Sequence, residues 1–123
     1  MDKAQALDAF WNSFNIPAYD ENSVPEDATF PYITYSEATD SLGNVVTLNA
    51  SIWDSSTSWA TVSLKAEEIA KKIAEYGHYT IKIDTGYLWL VKGNPFAQRM
   101  SDPNDDNIKR IYLNVLGEFL TAY

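Results

Sequence analysis

The sequence predicts a single α+β domain, residues 1–123, in which a small, mostly antiparallel (mixed) sheet of four to five strands packs against two helices. Two segments carry apolar residues at helical spacing. Several shorter segments alternate or are rich in β-branched and aromatic residues. The two kinds follow one another in the order α-β-β-α-β-β-β, with no internal repeat, low-complexity tract or linker.

The first helix is expected from Asp2 to about Asn15, because Leu7, Phe10, Trp11 and Phe14 fall on one stripe. Asp2 is a suitable N-cap, and Pro17 ends the helix because the residue before a proline avoids the α region. Residues 21–27 are rich in turn formers and read as a loop. A strand follows over Tyr32–Glu37, then a turn at Ser41-Leu42-Gly43-Asn44. The returning strand runs from Val45 to about Trp53, with Val46, Leu48, Ala50 and Ile52 on one face, and the two strands are expected to form a hairpin. The second helix carries the stripe Trp59, Val62, Ala66, Ile69, Ala70 and Ile73, with N-cap candidates at Ser55 to Ser58. Glu67–Lys71 and Glu68–Lys72 are spaced for i,i+4 pairing, and Gly77 stands where a left-handed residue closes a helix. Tyr79–Ile83 and Tyr87–Val91 read as a second hairpin about Asp84-Thr85-Gly86. Tyr87–Val91 is apolar on both faces, so it is either covered twice or meets a partner. Residues 94–107 read as a loop, and Ile108–Leu116 as a last strand weakened at Gly117.

Composition narrows the function. With 46% hydrophobic and 21% charged residues the chain is globular, and 4 Trp, 8 Tyr and 5 Phe exceed what a minimal core requires. Such aromatic residues are enriched at protein–protein contacts. The absence of cysteine excludes disulfides and thiolate metal sites. No basic stretch leads into an apolar run at the N-terminus, so no secretory signal is expected, and Asn49-Ala50-Ser51 is read as an accidental sequon. The formal charge is −8, and all of it lies in residues 1–64, which hold nine acids and the single base Lys3. Such a chain does not attract a nucleic-acid backbone.

Catalytic and ligand motifs are missing. His78, the only histidine, sits at a helix end, where a positive charge suits the helix dipole. The glycines mark turns or strand breaks, and none clusters to cradle phosphate. Asp102, Asn104 and Asp106 mimic the start of a calcium loop, but Asn107 and Leu113 stand where glycine and glutamate are required, so a solvated turn is the reading. No catalytic residue, cofactor or metal is therefore expected. More informative is the segment Asn94–Ser101, where Phe96, Arg99 and Met100 share an expected loop and Arg110 follows. These residue types favour interfaces, and the competing reading is that Phe96 and Met100 cap the domain's own core.

Three segments carry a resemblance. Val24-Pro25-Glu26-Asp27-Ala28-Thr29-Phe30-Pro31-Tyr32-Ile33-Thr34-Tyr35 resembles the lead-in segment of tail terminator proteins of long-tailed bacteriophages. Ser51-Ile52-Trp53-Asp54-Ser55-Ser56-Thr57-Ser58-Trp59 is similar to their middle segment. Residues 94–103, followed by Ile108-Lys109-Arg110-Ile111-Tyr112, are similar to their C-terminal segment. The resemblance implies a non-enzymatic virion protein, assembled in the host cytoplasm. It implies a ring, usually hexameric, on the head-proximal end of the tail tube. The ring ends tube growth and offers a surface to the head connector. The implied partners are further copies of the chain, the tail tube protein and the connector, with DNA only as passing cargo and no membrane. A head–tail joining protein of the same particle is the alternative. A small acidic ligand-binding module, which predicts a polar pocket and a monomer, is the reading from another class.

Ring closure needs two different patches that meet. Phe96, Arg99, Met100 and Arg110, with Trp89 as a weaker member, are the candidates for one. Asp20, Glu21, Glu26, Asp27, Glu37 and Asp40 are candidate channel-facing acids, which would let DNA slide without sticking.

Overall fold

In a computed structural model of the chain, which describes residues 1–40 and 44–122, two helices pack on a mixed sheet of seven strands. Helix α1 spans Lys3–Trp11 and passes into a 3-10 turn, Asn12–Phe14, that ends at Asn15 in the left-handed region (φ 64°). Asp2 caps it: its carboxylate accepts from the Gln5 amide at 2.8 Å, and the Gln5 side chain accepts from the Asp2 amide at 3.0 Å. Leu7, Phe10, Trp11 and Phe14 are all buried, as their spacing predicts.

The strands are β1 (Ala18–Asp20), β2 (Tyr32–Tyr35), β3 (Val45–Thr47), β4 (Ala50–Ser55), β5 (Tyr79–Ile83), β6 (Gly86–Ser101) and β7 (Ile108–Thr121). Their order is β1-β2-β4-β7-β6-β5, with β3 also on β7. Among the described residues only the β1–β2 pairing is parallel. The α+β class stands, but two additional strands and one lengthened strand take the sheet beyond the expected four to five, for three local reasons.

First, β1 is only three residues long and has no alternation to signal it; the Ile33 amide fastens it by donating to the Pro17 carbonyl at 2.8 Å. Second, the expected strand Val45–Trp53 is interrupted at Leu48 and Asn49, although one register runs along β7 from Val45↔Glu118 to Ser55↔Ile108. There the Asn49 side-chain oxygen, in place of a main-chain carbonyl, accepts from the Val115 amide at 3.2 Å. The hairpin expectation holds for β4, which pairs with β2; β3 pairs with β7 instead. Third, residues 94–101 are strand, not loop. Between Lys92↔Val115 and Ala97↔Leu113 the register shifts, so that residues 93–96 oppose Asn114 alone. Asn114 spans this bulge by donating from Nδ2 to the Pro95 carbonyl at 2.7 Å.

Strand β7 also runs through Gly117 to Thr121, where a break was expected. A Cβ on Gly117 would lie 2.4 Å from Leu48 Cδ1, so the glycine lets the layers close rather than ending the strand. The expected turn at residues 41–44 falls largely outside the described residues.

Helix α2 spans Ala60–Ala74 and buries Val62, Ala66, Ile69 and Ile73, whereas Trp59 and Ala70 of the expected stripe are only partly buried. Trp59 holds its N-cap position, and the Ser58 hydroxyl accepts from the Ala60 amide at 3.0 Å. The expected i,i+4 ion pairs do not form, and Glu68 and Lys72 take other partners. Glu68 pairs with Lys65 at 2.8 Å, and Lys72 donates to Ser13 Oγ at 2.7 Å while lying 4.9 Å from the Phe14 ring centroid. Gly77 takes the expected left-handed turn (φ 88°). Both helices bury their stripes in one core with Ile33, Ile52, Leu88, Leu90, Leu113, Val115 and Phe119.

Candidate oligomer interface

Alternation along β7 divides the sheet into two faces. Ile111, Leu113, Val115 and Phe119 point into the core beneath the helices; Arg110, Tyr112, Asn114, Leu116, Glu118 and Leu120 lie on the other side, each partly exposed. Among the described residues no helix covers that second face.

Register places a row of large side chains across it. Tyr32 pairs with Trp53, Trp53 with Arg110, and Arg110 with Met100, so four neighbouring strands each contribute one residue. The row is held in place from below and beside. The Arg110 guanidinium lies 4.6 Å from the Trp53 ring centroid, and its Nε donates to Ser51 Oγ at 3.0 Å. Trp53 Nε1 donates to Thr34 Oγ1 at 2.9 Å. Phe30 stacks on Tyr32 with centroids 5.2 Å apart, and Tyr19 meets the same ring edge-on at 5.9 Å. Tyr112 accepts from the Asn49 amide in the next row. Phe30 and Met100 remain 41% and 40% exposed at the two ends of the row. Trp, Tyr and Arg held in fixed rotamers lose little entropy on being covered, which is why such residues dominate interface energetics.

The expected patch thus separates into two places. Met100, Arg110 and Trp89 stand on the helix-free face. Trp89, 39% exposed, stacks on His78 with centroids 4.6 Å apart, so the histidine packs against the sheet beyond the end of α2. Phe96 and Arg99 stand on the helix side. Phe96 packs against the core and, with Ala66, Ala70, Arg99 and Ile111, lines a groove of about 250 Å³ between α2 and β6. The Arg99 guanidinium lies over the Trp59 ring at 5.0 Å.

Tyr19, Phe30, Tyr32, Trp53 and Tyr112 were not singled out from sequence. The signal available was parity: Tyr32 alternates with the buried Ile33 and Tyr35, and Trp53 with the buried Ile52 and Asp54.

Of the acidic candidates, Asp20 closes β1, Glu21, Glu26 and Asp27 stand exposed in the β1–β2 connection, and Glu37 and Asp40 follow β2. The run at residues 102–107 folds as turns, with Asp102 accepting from the Asn104 amide and Asp105 from the Asn107 amide. Among the described residues no group of three or more His, Asp or Glu side chains is placed to hold a metal ion, and no helix is long and apolar enough to cross a membrane. Among the described residues the one titration clearly displaced is that of Tyr35, whose phenol is pushed up by burial and by the hydrogen bond it donates to Asp8, 3.0 Å away.

No protein-family model matches the chain, and no curated protein matches its sequence.

Proposed function

We propose that this chain is a virion structural protein that closes into a ring, usually hexameric in the family it resembles, on the head-proximal end of a phage tail tube. There it ends tube polymerisation and offers the head connector its docking surface. The observation that carries the assembly part of this reading is the row Tyr32–Trp53–Arg110–Met100 on a helix-free sheet face. A domain that functions alone gains little from an arginine and two aromatic rings held partly exposed in a row. A subunit gains from them, because covering the row removes apolar area from water and gives the guanidinium a partner of opposite charge. The tail assignment rests on the resemblance of residues 24–35, 51–59, 94–103 and 108–112.

Electron microscopy of particles assembled without the protein tests it. Overlong tail tubes are the expected outcome. Tubes of normal length that fail to join heads point to the joining protein instead, and unaffected particles refute both.

A further inference from the structure

Strand β6 is flanked on both sides only over its first part. Strand β5 pairs with Gly86–Leu90, whereas Ala97–Ser101 pair with β7 alone. Among the described residues no strand pairs with the outer main-chain edge of Ala97–Ser101, and all five residues are exposed. Folded proteins normally blunt such an edge. This chain does so at the opposite end of the sheet, where the Asn12 side chain both accepts from the Ala18 amide and donates to the Ala18 carbonyl. At β6 a single charge, Arg99, stands on the edge, and the apolar groove against α2 runs beside it.

Among the described residues the cations here have no carboxylate partner. The ion pairs among the described residues are Met1–Asp84 and Lys65–Glu68. Arg99 rests on the Trp59 ring and Lys92 on the Phe96 ring, neither with a carboxylate within 4.0 Å. Glu67, on the α2 rim, is the one acid lining the groove, so the cations lie on its strand side. The complement exists in the same sequence: Glu21, Glu26 and Asp27 stand exposed in the β1–β2 connection, likewise without a cation, around the apolar pair Val24-Pro25.

We propose that the open β6 edge and its groove receive the acidic β1–β2 connection of the next copy of this chain. Glu21, Glu26 and Asp27 of that copy meet Arg99 and Lys92, and Val24-Pro25 enters the groove between Phe96 and Ala70. Donor and acceptor are different surfaces, so the contact is head-to-tail and repeats around a ring. This deepens the ring reading and rests on it. It also assigns these three carboxylates to a subunit contact rather than to the channel wall.

Two charge-reversed proteins test it by sedimentation: K92E/R99E, and E21K/E26K/D27K. All five side chains are exposed, so both proteins are expected to keep the wild-type circular dichroism. Each variant alone is expected to associate at least about tenfold more weakly than wild type, and an equimolar mixture to recover association. Because the chain has no cysteine, Pro25→Cys combined with Gln98→Cys supplies a second readout: oxidation is expected to give a ladder of covalent oligomers. Reversed variants that associate as wild type does, a mixture that stays apart, or a cysteine pair that gives no ladder overturns the assigned contact and leaves the ring standing. A wild-type chain that stays monomeric at every concentration overturns both.

Discussion

Replacing Arg110 with methionine separates what this residue does for the domain from what it does for the assembly. Methionine keeps much of the aliphatic stem over Trp53 but removes the Nε–Ser51 hydrogen bond at 3.0 Å and the guanidinium 4.6 Å from the Trp53 ring. A hydrogen bond to a charged donor contributes about 1.5 kcal/mol, and a half-exposed cation–π contact somewhat under 1 kcal/mol. The domain is therefore expected to lose about 2 kcal/mol, or about 8 °C in Tm for a chain of this size. Since domains of this size are stable by 5 to about 15 kcal/mol, Arg110→Met remains folded at 25 °C. The loss in association is expected to be as large again, about thirtyfold in Kd, because truncating a central interface arginine typically costs at least about 2 kcal/mol. Urea unfolding of dilute protein measures the first quantity and sedimentation equilibrium of concentrated protein the second. An association constant unchanged alongside the expected stability loss would show that Arg110 serves the sheet alone. Loss of the folded circular dichroism spectrum would show that the guanidinium is a keystone of the monomer, and the distinction drawn here fails.

Two further substitutions test the packing and the buried phenol. Gly117→Ala drives a methyl group into Leu48, which is fully buried, and is expected to cost about 1–3 kcal/mol in urea unfolding; Leu48→Ala is expected to cost less in that background than in the wild-type chain, because it also relieves the contact. Tyr35 is an acid whose folded form holds its proton more tightly than the unfolded chain does. Its contribution is complete below about pH 10 and is lost as pH rises above that value, where the unfolded phenol ionises first. Tyr35→Phe, which also removes the bond to Asp8, is expected to cost about 1 kcal/mol at neutral pH and to flatten the alkaline limb of a stability–pH curve measured by denaturant titration.

The helix-free face explains why a chain without catalytic motifs is so rich in aromatic residues. Trp11, Phe10, Phe14 and Phe119 fill the core. Tyr19, Phe30, Tyr32, Trp53, Tyr87 and Trp89 do not; they populate strands and a strand lead-in at positions where a solitary domain would place threonine or lysine. The excess visible in the composition is thus a surface property, concentrated on one side of the sheet.

Local periodicity determined both helices, because their stripes repeat every three to four residues and the burial of Leu7, Phe10, Trp11, Val62, Ile69 and Ile73 requires only that some apolar layer lie beneath. It determined the core parity of β7 in the same way, and the turn formers Asp84-Thr85-Gly86 determined the β5–β6 turn. Only the tertiary structure decided that residues 97–101 are strand. Gly93-Asn94-Pro95 punctuates the chain, and Phe-Ala-Gln-Arg-Met has no alternation of its own, so its extended form depends on β7 to supply the hydrogen bonds. The row Tyr32–Trp53–Arg110–Met100 and the division of Arg99 from Arg110 onto opposite faces are likewise tertiary. They arise from register between strands as far as 57 residues apart, set by pairings such as Trp53↔Arg110, and a shift of one residue in any ladder would turn those side chains to the other side.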